Sequence, residues 1–486
     1  MTSLDTPRAK NLALALLAMT QLVIVIDASI VNVALPSIGS DLNFSQENLS
    51  WVINAYALTF GGFLLLGGRI SDYFGRRRTF LGGMLLFTFA SGLGGLAQSD
   101  EMLIGARALQ GLGGAITSPA ALAILTTTFA EGSERNKALG VWGAAGGAGG
   151  AIGVLLGGVL TEYIGWQAVL WVNVPVGLFI AWQTPRRLIE SSIDDADRSF
   201  DVAGAVSITA GLSLLVFALV DAPNEGWGSG STLGRIAGAA ALIALFIVLE
   251  LRTRKPLVPF SIFRLRTLRG ANVIGLLIGM SLFSMFFLIT LYLQQVLGMS
   301  AIETGLAYLP LSVFIIVSAG VASQLVTKIG FKPVLATGLA FVAAGLLWFT
   351  QIDTDGGWAS DMLGPSLLAA IGLGFSFVTS TIAAMTGTSP GEAGLASGLI
   401  NSSQQVGGAL GLAILASIAN STTSDALKDG TQPLVALNEG FQDAFLVGTG
   451  FALAGVALAL LLISTRDSRQ HALAAKRGDA AAVVSA

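Results

Sequence analysis

The chain has 486 residues, of which 53% are hydrophobic and only 11% are charged. A soluble domain carries about 25% charged residues, so this composition excludes an ordinary water-soluble globule and favours a membrane protein. The absence of cysteine, a single histidine and a net charge of −3 exclude disulfides, thiolate metal sites and a His relay within the membrane, and they argue against a nucleic-acid partner.

Fourteen apolar segments are long enough to cross a bilayer as helices, which takes roughly 20 mostly apolar residues each. The first is about twice as long as the apolar core of a secretory signal and lacks a prompt A-x-A cleavage pattern, so we expect an uncleaved span. The fourteen segments are residues 12–36, 48–68, 79–97, 102–128, 138–160, 167–184, 202–220, 236–250, 270–297, 304–327, 333–350, 362–384, 394–418 and 441–464.

The basic residues between these segments set their orientation, because lysine and arginine collect on the cytoplasmic side of a membrane. With the N-terminus inside and the segments alternating, 23 of the 26 basic residues fall on the inner side, and only Arg235 and Lys428 fall outside. A wrong number of spans would disturb this division. The sequence therefore predicts an all-α integral membrane protein with 14 transmembrane helices and both termini in the cytoplasm.

One carboxylate, Asp27, lies deep inside a predicted span. It follows Lys10 by 17 residues, which places it about 25 Å from the inner face at about 1.5 Å per residue. The remaining basic residue, Arg107, follows Glu101 by six residues and so lies about 9 Å from the outer side. In a hydrocarbon core of about 30 Å these are similar levels, and both side chains belong to the outer half.

These two charges point to proton coupling. Ionisable groups inside a membrane are costly and are functional by default; a buried carboxylate tends to stay protonated, and a nearby cation reverses that tendency. We therefore expect Asp27 to carry a proton and Arg107 to tune its proton affinity, with Gln110 on the same face one helical turn on. The alternative is a purely structural polar contact between helices.

A repeated sequence pattern indicates that the two halves of the chain arose by duplication. Gly68-RISDYF-Gly75-RRR follows the second span, and Ser323-QLVTKI-Gly330-FKP follows the tenth, with the same seven-residue offset to glycine. Two related six-helix bundles are a design known among transporters. The predicted domains are an N-terminal bundle, two inserted helices with their cytoplasmic linkers, a C-terminal bundle and a cytoplasmic tail, which are residues 1–184, 185–269, 270–465 and 466–486.

Several motifs resemble the major facilitator superfamily, and in particular its fourteen-span drug:proton antiporter branch. GRISDYFGRRR, beginning at Gly68, is similar to the superfamily signature of the loop between spans 2 and 3, and RALQGLGGA, beginning at Arg107, to its fourth-span motif. IDASIVNVALP, WVNVPVG and YLQQVLGMSAIETGLAYLP resemble segments of the fourteen-span branch. The resemblance covers nearly all of the chain up to about residue 465.

The resemblance implies a conformational gate in the first of these motifs. An acid among arginines near the start of the third span suits a salt bridge at a helix end. The family's pattern implies that this latch stabilises the outward-open state. The gate residues are Gly68, Asp72, Gly75, Arg76 and Arg77.

A glycine run in the fifth span predicts close helix packing. Gly149, Gly153 and Gly157 recur at spacings of four and form a smooth stripe, and Gly158 completes the motif. Such stripes let helix backbones approach closely. The family's antiporter motif has a proline where this chain has Val154. The packing glycines are therefore kept, and the proline kink is not.

Four residues are candidates for substrate contact, namely Asn32, Gln110, Phe283 and Phe287. Aromatic side chains on the ninth span suit a lipophilic ligand, and lipid contact is the alternative for them. No metal ligand set and no catalytic residue stands out in the sequence.

The function that the resemblance implies is efflux of lipophilic or cationic drugs or antibiotics, driven by a proton gradient and without a cofactor. Export of an endogenous metabolite or natural product by the same fold is the alternative. A membrane enzyme would need a catalytic cluster, and a receptor would need a signalling domain, so neither is expected. The expected setting is a monomer in the lipid bilayer of a bacterial cell membrane, with no nucleic-acid partner.

Overall fold

The structure of the protein is a computed structural model that describes residues 6–42, 44, 49, 51–191, 201–253, 256–389 and 392–484. Its regular elements are all helical, and no strand occurs in these residues. Helices α1 to α17 span, in order, Pro7–Asp41, Trp51–Phe74, Arg76–Gly95, Asp100–Thr128, Ser133–Tyr163, Gln167–Trp171, Asn173–Arg187, Val202–Glu225, Gly230–Arg252, Arg266–Leu291, Ala301–Ala307, Leu309–Ile329, Phe331–Phe349, Leu363–Met385, Ala393–Lys428, Pro433–Leu462 and Thr465–Val484.

Thirteen helical segments of the described chain are long and apolar enough to cross a membrane. They match thirteen of the fourteen predicted spans. The remaining span, 79–97, coincides with α3, a 20-residue helix whose opening arginines and several glycines lower its mean hydropathy. The count of fourteen spans therefore stays a prediction, and it depends on whether α3 crosses the membrane. Residues 192–200 and 254–255 of the predicted cytoplasmic linkers lie outside the described residues.

Two predicted spans are each divided into two helices by a single turn residue, Val172 and Tyr308, whose backbone angles stay helical. Residues 167–184 form α6 and α7, and residues 304–327 form α11 and α12. In the second of these segments, Ser300 and Glu303 form a capping box that starts α11. Pro310 then lies in the first turn of α12, where its missing N–H is not needed.

The helices form two groups, which we call the first group (α1–α7) and the second group (α10–α16). In the first group α1 lies on α5, and α2 and α3 both lie on α4; in the second, α10 lies on α15 and α13 on α14. The pairs α5–α12 and α2–α15 join the two groups. The predicted domain boundaries stay predictions.

The predicted internal repeat has a counterpart in the backbone. Gly75 ends the link between α2 and α3 with φ at 103°, and Gly330 does the same between α12 and α13 with φ at 88°. Glycine is the residue that adopts such angles without steric cost. Both glycines therefore let one long helix stop and the next begin at once.

The inserted pair, α8 and α9, touches both groups. On the first group, α8 packs so closely on α2 that a β-carbon at Gly62 would overlap Ser213 Oγ. On the second group, Trp227 Nε1, just after α8, donates a hydrogen bond of 2.8 Å to Ser417 Oγ of α15. The pair thus covers the α2–α15 contact from one side.

Helix α17 occupies the segment that the sequence predicted as a polar tail. Ser468 Oγ accepts a hydrogen bond of 3.0 Å from the Lys332 backbone N–H at the start of α13. His471 Nε2 lies 3.2 Å from Asn136 Nδ2 of α5, and its ring lies on Phe331 with centroids 5.7 Å apart. The helix therefore bridges the two groups. We call this end of the bundle, where α1 also begins, the terminal end.

The attachment of α17 is expected to weaken as pH falls. Burial lowers the pKa of His471 below its usual range; the Glu131 carboxylate opposes this shift and the Arg135 cation adds to it. Below about pH 6.5, a detached His471 gains a proton that the packed one lacks, so detachment becomes more favourable.

Hydrogen–deuterium exchange of residues 465–475 provides the measurement. After correction for the intrinsic rate, exchange should rise between about pH 7.5 and about pH 5.5. The variant His471→Gln, which cannot titrate, should exchange equally at both values. Equal pH dependence in the two proteins would assign the effect to another group.

Candidate functional site

Asp27 lies in the middle of α1, and its side chain is 0% exposed. Two helices of the first group, α4 and α7, supply its polar partners. Oδ2 accepts a hydrogen bond of 2.8 Å from Arg107 Nη1, and Oδ1 accepts one of 2.6 Å from Gln110 Nε2, both on α4. The two charges that the sequence placed at similar depths are thus in direct contact.

The guanidinium of Arg107 is held by three hydrogen bonds and an aromatic ring. Its Nε donates to the Val52 carbonyl at 3.0 Å, and its Nη1 also donates to Gln110 Oε1 at 2.7 Å. The ring of Tyr56 lies beneath it, 4.4 Å from the guanidinium carbon, in a cation–π arrangement. Arg107 is therefore fixed in place as the partner of Asp27.

Two further members of this site were not predicted as site residues. Asn173 Nδ2, at the start of α7, donates to Asp27 Oδ1 at 2.7 Å and to Ser91 Oγ of α3 at 3.1 Å. Gln110 Nε2 also donates to Ser91 Oγ, at 2.8 Å. The signal available in the sequence was the polar Asn173 in WVNVPVG, between apolar neighbours. We call Asp27, Arg107, Gln110, Asn173 and Ser91 the Asp27 cluster.

The glycine stripe of α5 determines how closely α1 approaches. A β-carbon would lie 2.7 Å from Val25 Cβ at Gly149 and 2.6 Å from the Ile30 carbonyl oxygen at Gly157. At Gly153 it would overlap Ser29 Oγ of the helix that carries Asp27.

The fourth glycine of the predicted motif, Gly158, faces a different neighbour. A β-carbon there would lie 3.1 Å from Ile302 Cγ1 of α11. The predicted packing stripe therefore divides, with three members against α1 and one against a helix outside the first group.

Alanine at Gly153 should loosen the α1–α5 contact. Its β-carbon would also lie 2.8 Å from the Ile26 carbonyl oxygen. A backbone atom cannot move away by changing a side-chain rotamer, so the helices would have to separate. We expect a loss of about 1–3 kcal/mol in stability, measured as a lower thermal unfolding midpoint in detergent. The matched control is Gly150→Ala, since the nearest atom there, on Phe286, is 3.9 Å away. Equal unfolding midpoints for the two variants would contradict this expectation.

The predicted gate joins the two groups at the terminal end. Asp72, at 0% exposure, accepts hydrogen bonds from the backbone N–H groups of Gly394 at 3.1 Å and Leu395 at 3.0 Å. These lie in the first turn of α15, where the helix dipole favours an anion. Arg76 Nη2 forms a salt bridge of 2.8 Å with the same carboxylate. Gly68 is close enough to Gly394 that a β-carbon would overlap its carbonyl oxygen.

The other basic residue of the predicted gate has a different role. Arg77 Nε lies 3.8 Å from Glu190 Oε2, and Glu190 also accepts from the backbone N–H of Arg77 at 3.0 Å. Glu190 thus caps the start of α3, whose N-cap residue Gly75 has no side chain to do so. Arg77 therefore contacts the loop after α7, within the first group, and Gly75 provides the turn.

The four residues predicted to contact substrate differ in how far they are buried. Gln110 belongs to the Asp27 cluster and is buried. Asn32 is exposed and donates to the Ala28 carbonyl of its own helix at 3.3 Å. Phe283 and Phe287, on α10, are 40% and 39% exposed. Gln110 is thus the buried member of the four, and the other three side chains are exposed.

Other buried charges lie near the ends of their helices. Glu250, at the end of α9, accepts from the backbone N–H groups of Leu257 and Val258 at 3.1 Å each, and Arg69, near the end of α2, donates to the Pro256 carbonyl at 3.3 Å. Among the described residues, no group of three or more His, Cys, Asp or Glu side chains could hold a metal ion. Within the part of the chain that the structure describes, Asp27 is therefore the one carboxylate that lies buried far from both ends of its helix.

A family model described as the Major Facilitator Superfamily matches residues 17–412. The cephamycin export protein CmcT of Amycolatopsis lactamdurans is 39% identical over 452 residues, covering 92% of this chain and 91% of that relative. The puromycin resistance protein pur8 of Streptomyces alboniger is 37% identical, with 93% and 91% covered. The multidrug transporter protein MdtP of Bacillus subtilis is 32% identical, with 84% and 75% covered.

A solved structure shares the architecture. The human organic anion transporter MFSD10 (TETRAN) superposes with a TM-score of 0.67 at 14% identity, over 94% of this chain and 100% of that one. At this level of identity the likeness concerns the fold alone.

Proposed function

Because the chain belongs to the Major Facilitator Superfamily, whose members are transporters, we propose that it exports lipophilic or cationic drugs or antibiotics in exchange for protons. The three relatives named above are, by their own names, an antibiotic export protein, an antibiotic resistance protein and a multidrug transporter. Their similarity over most of their length supports an efflux transporter.

The observation that carries the proton coupling is the isolation of Asp27. It is a fully buried carboxylate that lies far from both helix ends and contacts one cation, Arg107. An ionisable group in such a place costs several kcal/mol and is functional by default. Asp27 takes up a proton from outside and releases it inside, and Arg107 sets how tightly the proton is held.

The gate supplies the conformational step. The Asp72 carboxylate holds the terminal end closed by joining the end of α2 to the start of α15. Substrate release to the outside takes place in this state, and the latch opens when the transporter turns inward. The glycine contacts of α5 with α1 and α11 let helices move past one another without interlocked side chains.

The setting follows from the charge distribution. The terminal end carries most of the basic residues and faces the cytoplasm, so both termini are inside and the protein has fourteen spans in the bacterial cell membrane. It works as a monomer. The proton gradient supplies the energy for transport, and no cofactor is needed. The inward movement of each proton contributes about 2.3 kcal/mol per 100 mV.

A second candidate is export of a natural product made by the cell itself. The relative named as a cephamycin export protein favours it. The fold and the Asp27 cluster are equally compatible with either cargo.

A transport panel tests the proposal. Cells that express the protein are loaded with cationic dyes and antibiotics, among them puromycin and a cephamycin, and retention is measured with and without a protonophore. Protonophore-sensitive efflux of at least one compound is the expected result, and the Asp27→Asn variant is the matched control. Efflux that persists at the full rate after the proton gradient has collapsed would contradict proton coupling.

A further inference from the structure

Every partner of the Asp27 carboxylate is a hydrogen-bond donor. Oδ1 accepts from Gln110 Nε2 at 2.6 Å and from Asn173 Nδ2 at 2.7 Å, and Oδ2 accepts from Arg107 Nη1 at 2.8 Å. A carboxylate has only acceptor capacity, whereas a carboxylic acid must also place one O–H hydrogen. The cluster is therefore built for the ionised form of Asp27.

The orientation of both amides follows from their neighbours. Gln110 Oε1 accepts from Arg107 Nη1 at 2.7 Å, so its NH₂ group has to face Asp27. Ser91 Oγ donates its single hydrogen to the Leu170 carbonyl at 2.9 Å. It can then only accept from Asn173, whose NH₂ group is the part that faces both Ser91 and Asp27.

Oδ1 of Asp27 already accepts two hydrogen bonds, one for each of its lone pairs, so proton uptake on this oxygen requires one of its two donors to withdraw. Gln110 and Arg107 lie on the same helix, one turn apart, and hold each other through their own hydrogen bond. Asn173 has no such tie to α4. It is the first residue of α7, directly after Val172, the single turn residue between α6 and α7, and its side chain is 2% exposed.

From this geometry, and on the basis of the proposed function, we propose that Asn173 is a positioning residue for proton exchange. Its amide holds Asp27 in the ionised form, and proton uptake on Oδ1 forces that amide to turn over or leave. The step moves a proton from a hydronium ion of the outside water to Asp27 Oδ1: one O–H bond of hydronium breaks, one O–H bond forms on Asp27, water is released, and the hydrogen bond from Asn173 is lost. Proton loading is thereby transmitted to the start of α7, which packs on α3 where Gly177 meets Thr88.

Two titratable side chains face Asp27 among the described residues, and neither of them is changed by a substitution of Asn173. The groups that face it are Arg107 from α4 and the Tyr56 phenol from α2, whose ring lies under the guanidinium. Helices α3 and α7 contribute the neutral Ser91 and Asn173, and α5 contributes its glycine face. Removal of Asn173 therefore changes one neutral donor and leaves the charges in place.

The test measures the pH midpoint of substrate-driven proton exchange in proteoliposomes for wild type, Asn173→Leu and Asn173→Gln. Because the leucine variant removes a donor that favours the ionised carboxylate, its midpoint should move to higher pH. We expect a shift of about one pH unit, a tenfold change in proton affinity. The glutamine variant, which keeps the amide, should restore part of the shift.

Asn438→Leu is the matched control. Asn438 is also a buried asparagine, but it donates to the Ile352 carbonyl at 2.9 Å and its described contacts include no titratable side chain. This variant should lower stability and leave the midpoint unchanged. If Asn173→Leu does not accumulate, Asn173→Ala removes the same donor with less added apolar bulk, and the same shift is expected.

A second readout does not depend on a transported drug. Infrared difference spectroscopy can follow the absorption band of the protonated Asp27 carboxyl group. The band is assigned to Asp27 by its absence in the Asp27→Asn variant. This band should appear at higher pH in Asn173→Leu than in wild type. The Asn173 variants could instead lower the exchange rate or the amount of protein while the pH midpoint of exchange and the pH at which the infrared band appears stay unchanged. That result would show a purely structural role for Asn173 and overturn the inference. Exchange that stays pH-dependent in Asp27→Asn would instead contradict the proposed role of Asp27.

Discussion

Substitution of Asp27 by asparagine is expected to reduce efflux at least tenfold and to abolish its pH dependence, while the protein still inserts. Asparagine keeps the shape of the side chain but cannot carry a proton. It also leaves Arg107, which is 1% exposed, as a buried cation without its partner. Breaking such a pair costs about 3–5 kcal/mol, so some loss of stability should accompany the loss of transport.

The matched control is Asp41→Asn, which makes the same change at the end of the same helix. Asp41 is exposed and accepts a hydrogen bond of 3.0 Å from Trp166 Nε1, a contact that asparagine can keep. Efflux is measured in everted vesicles at equal protein amounts over a range of pH. Wild-type rates in Asp27→Asn would show that the proton enters elsewhere.

The second large effect is expected at Asp72. Its replacement by asparagine removes the charge that Arg76 pairs with, and it places an amide donor opposite one of the two donating N–H groups of Gly394 and Leu395. The pair is almost fully buried, so solvent does not compensate the loss. The closed form of the terminal end should lose about 3 kcal/mol relative to the open form.

Transport and binding should then respond differently. The turnover rate should fall at least tenfold, because the outward-facing state becomes scarce, while the dissociation constant of the drug stays within about threefold of the wild-type value. Arg78→Gln is a suitable control, because Arg78 is 78% exposed and its partner is Glu190. A loss of binding as large as the loss of transport would show that Asp72 acts on the substrate site.

The Asp27–Arg107 pair illustrates what could be predicted from the sequence. Depth along a helix is fixed by a constant rise per residue, so two charges at similar depths could be matched before their helices were placed. Gly75 and Gly330 could be matched for a similar reason, since a fixed offset to glycine marks a turn. Rules of this kind depend on positions along the chain and on residue type.

Asn173, Ser91 and Glu190 could not be predicted in this way. Two are neutral polar residues in apolar helices, and only their neighbours from other helices show what they do. Glu190 lies in a loop, and its role depends on the missing cap at the start of α3. The C-terminal helix escaped prediction because its overall composition is polar, although one side, with Ala472 and Ala475, is buried. Its packing depends on a surface that both groups form together.

The bridging position of α17 gives the protein a built-in spectroscopic reporter. The chain has one histidine, and that residue lies between Asn136 of the first group and Phe331 of the second. Selective isotope labelling of histidine would therefore yield a single imidazole signal, whose chemical shift distinguishes the attached helix from the detached one. The absence of cysteine complements it, since a thiol introduced near the end of α16 would be the sole site for a fluorescent label. The opening of the terminal end could then be followed during turnover by two independent probes.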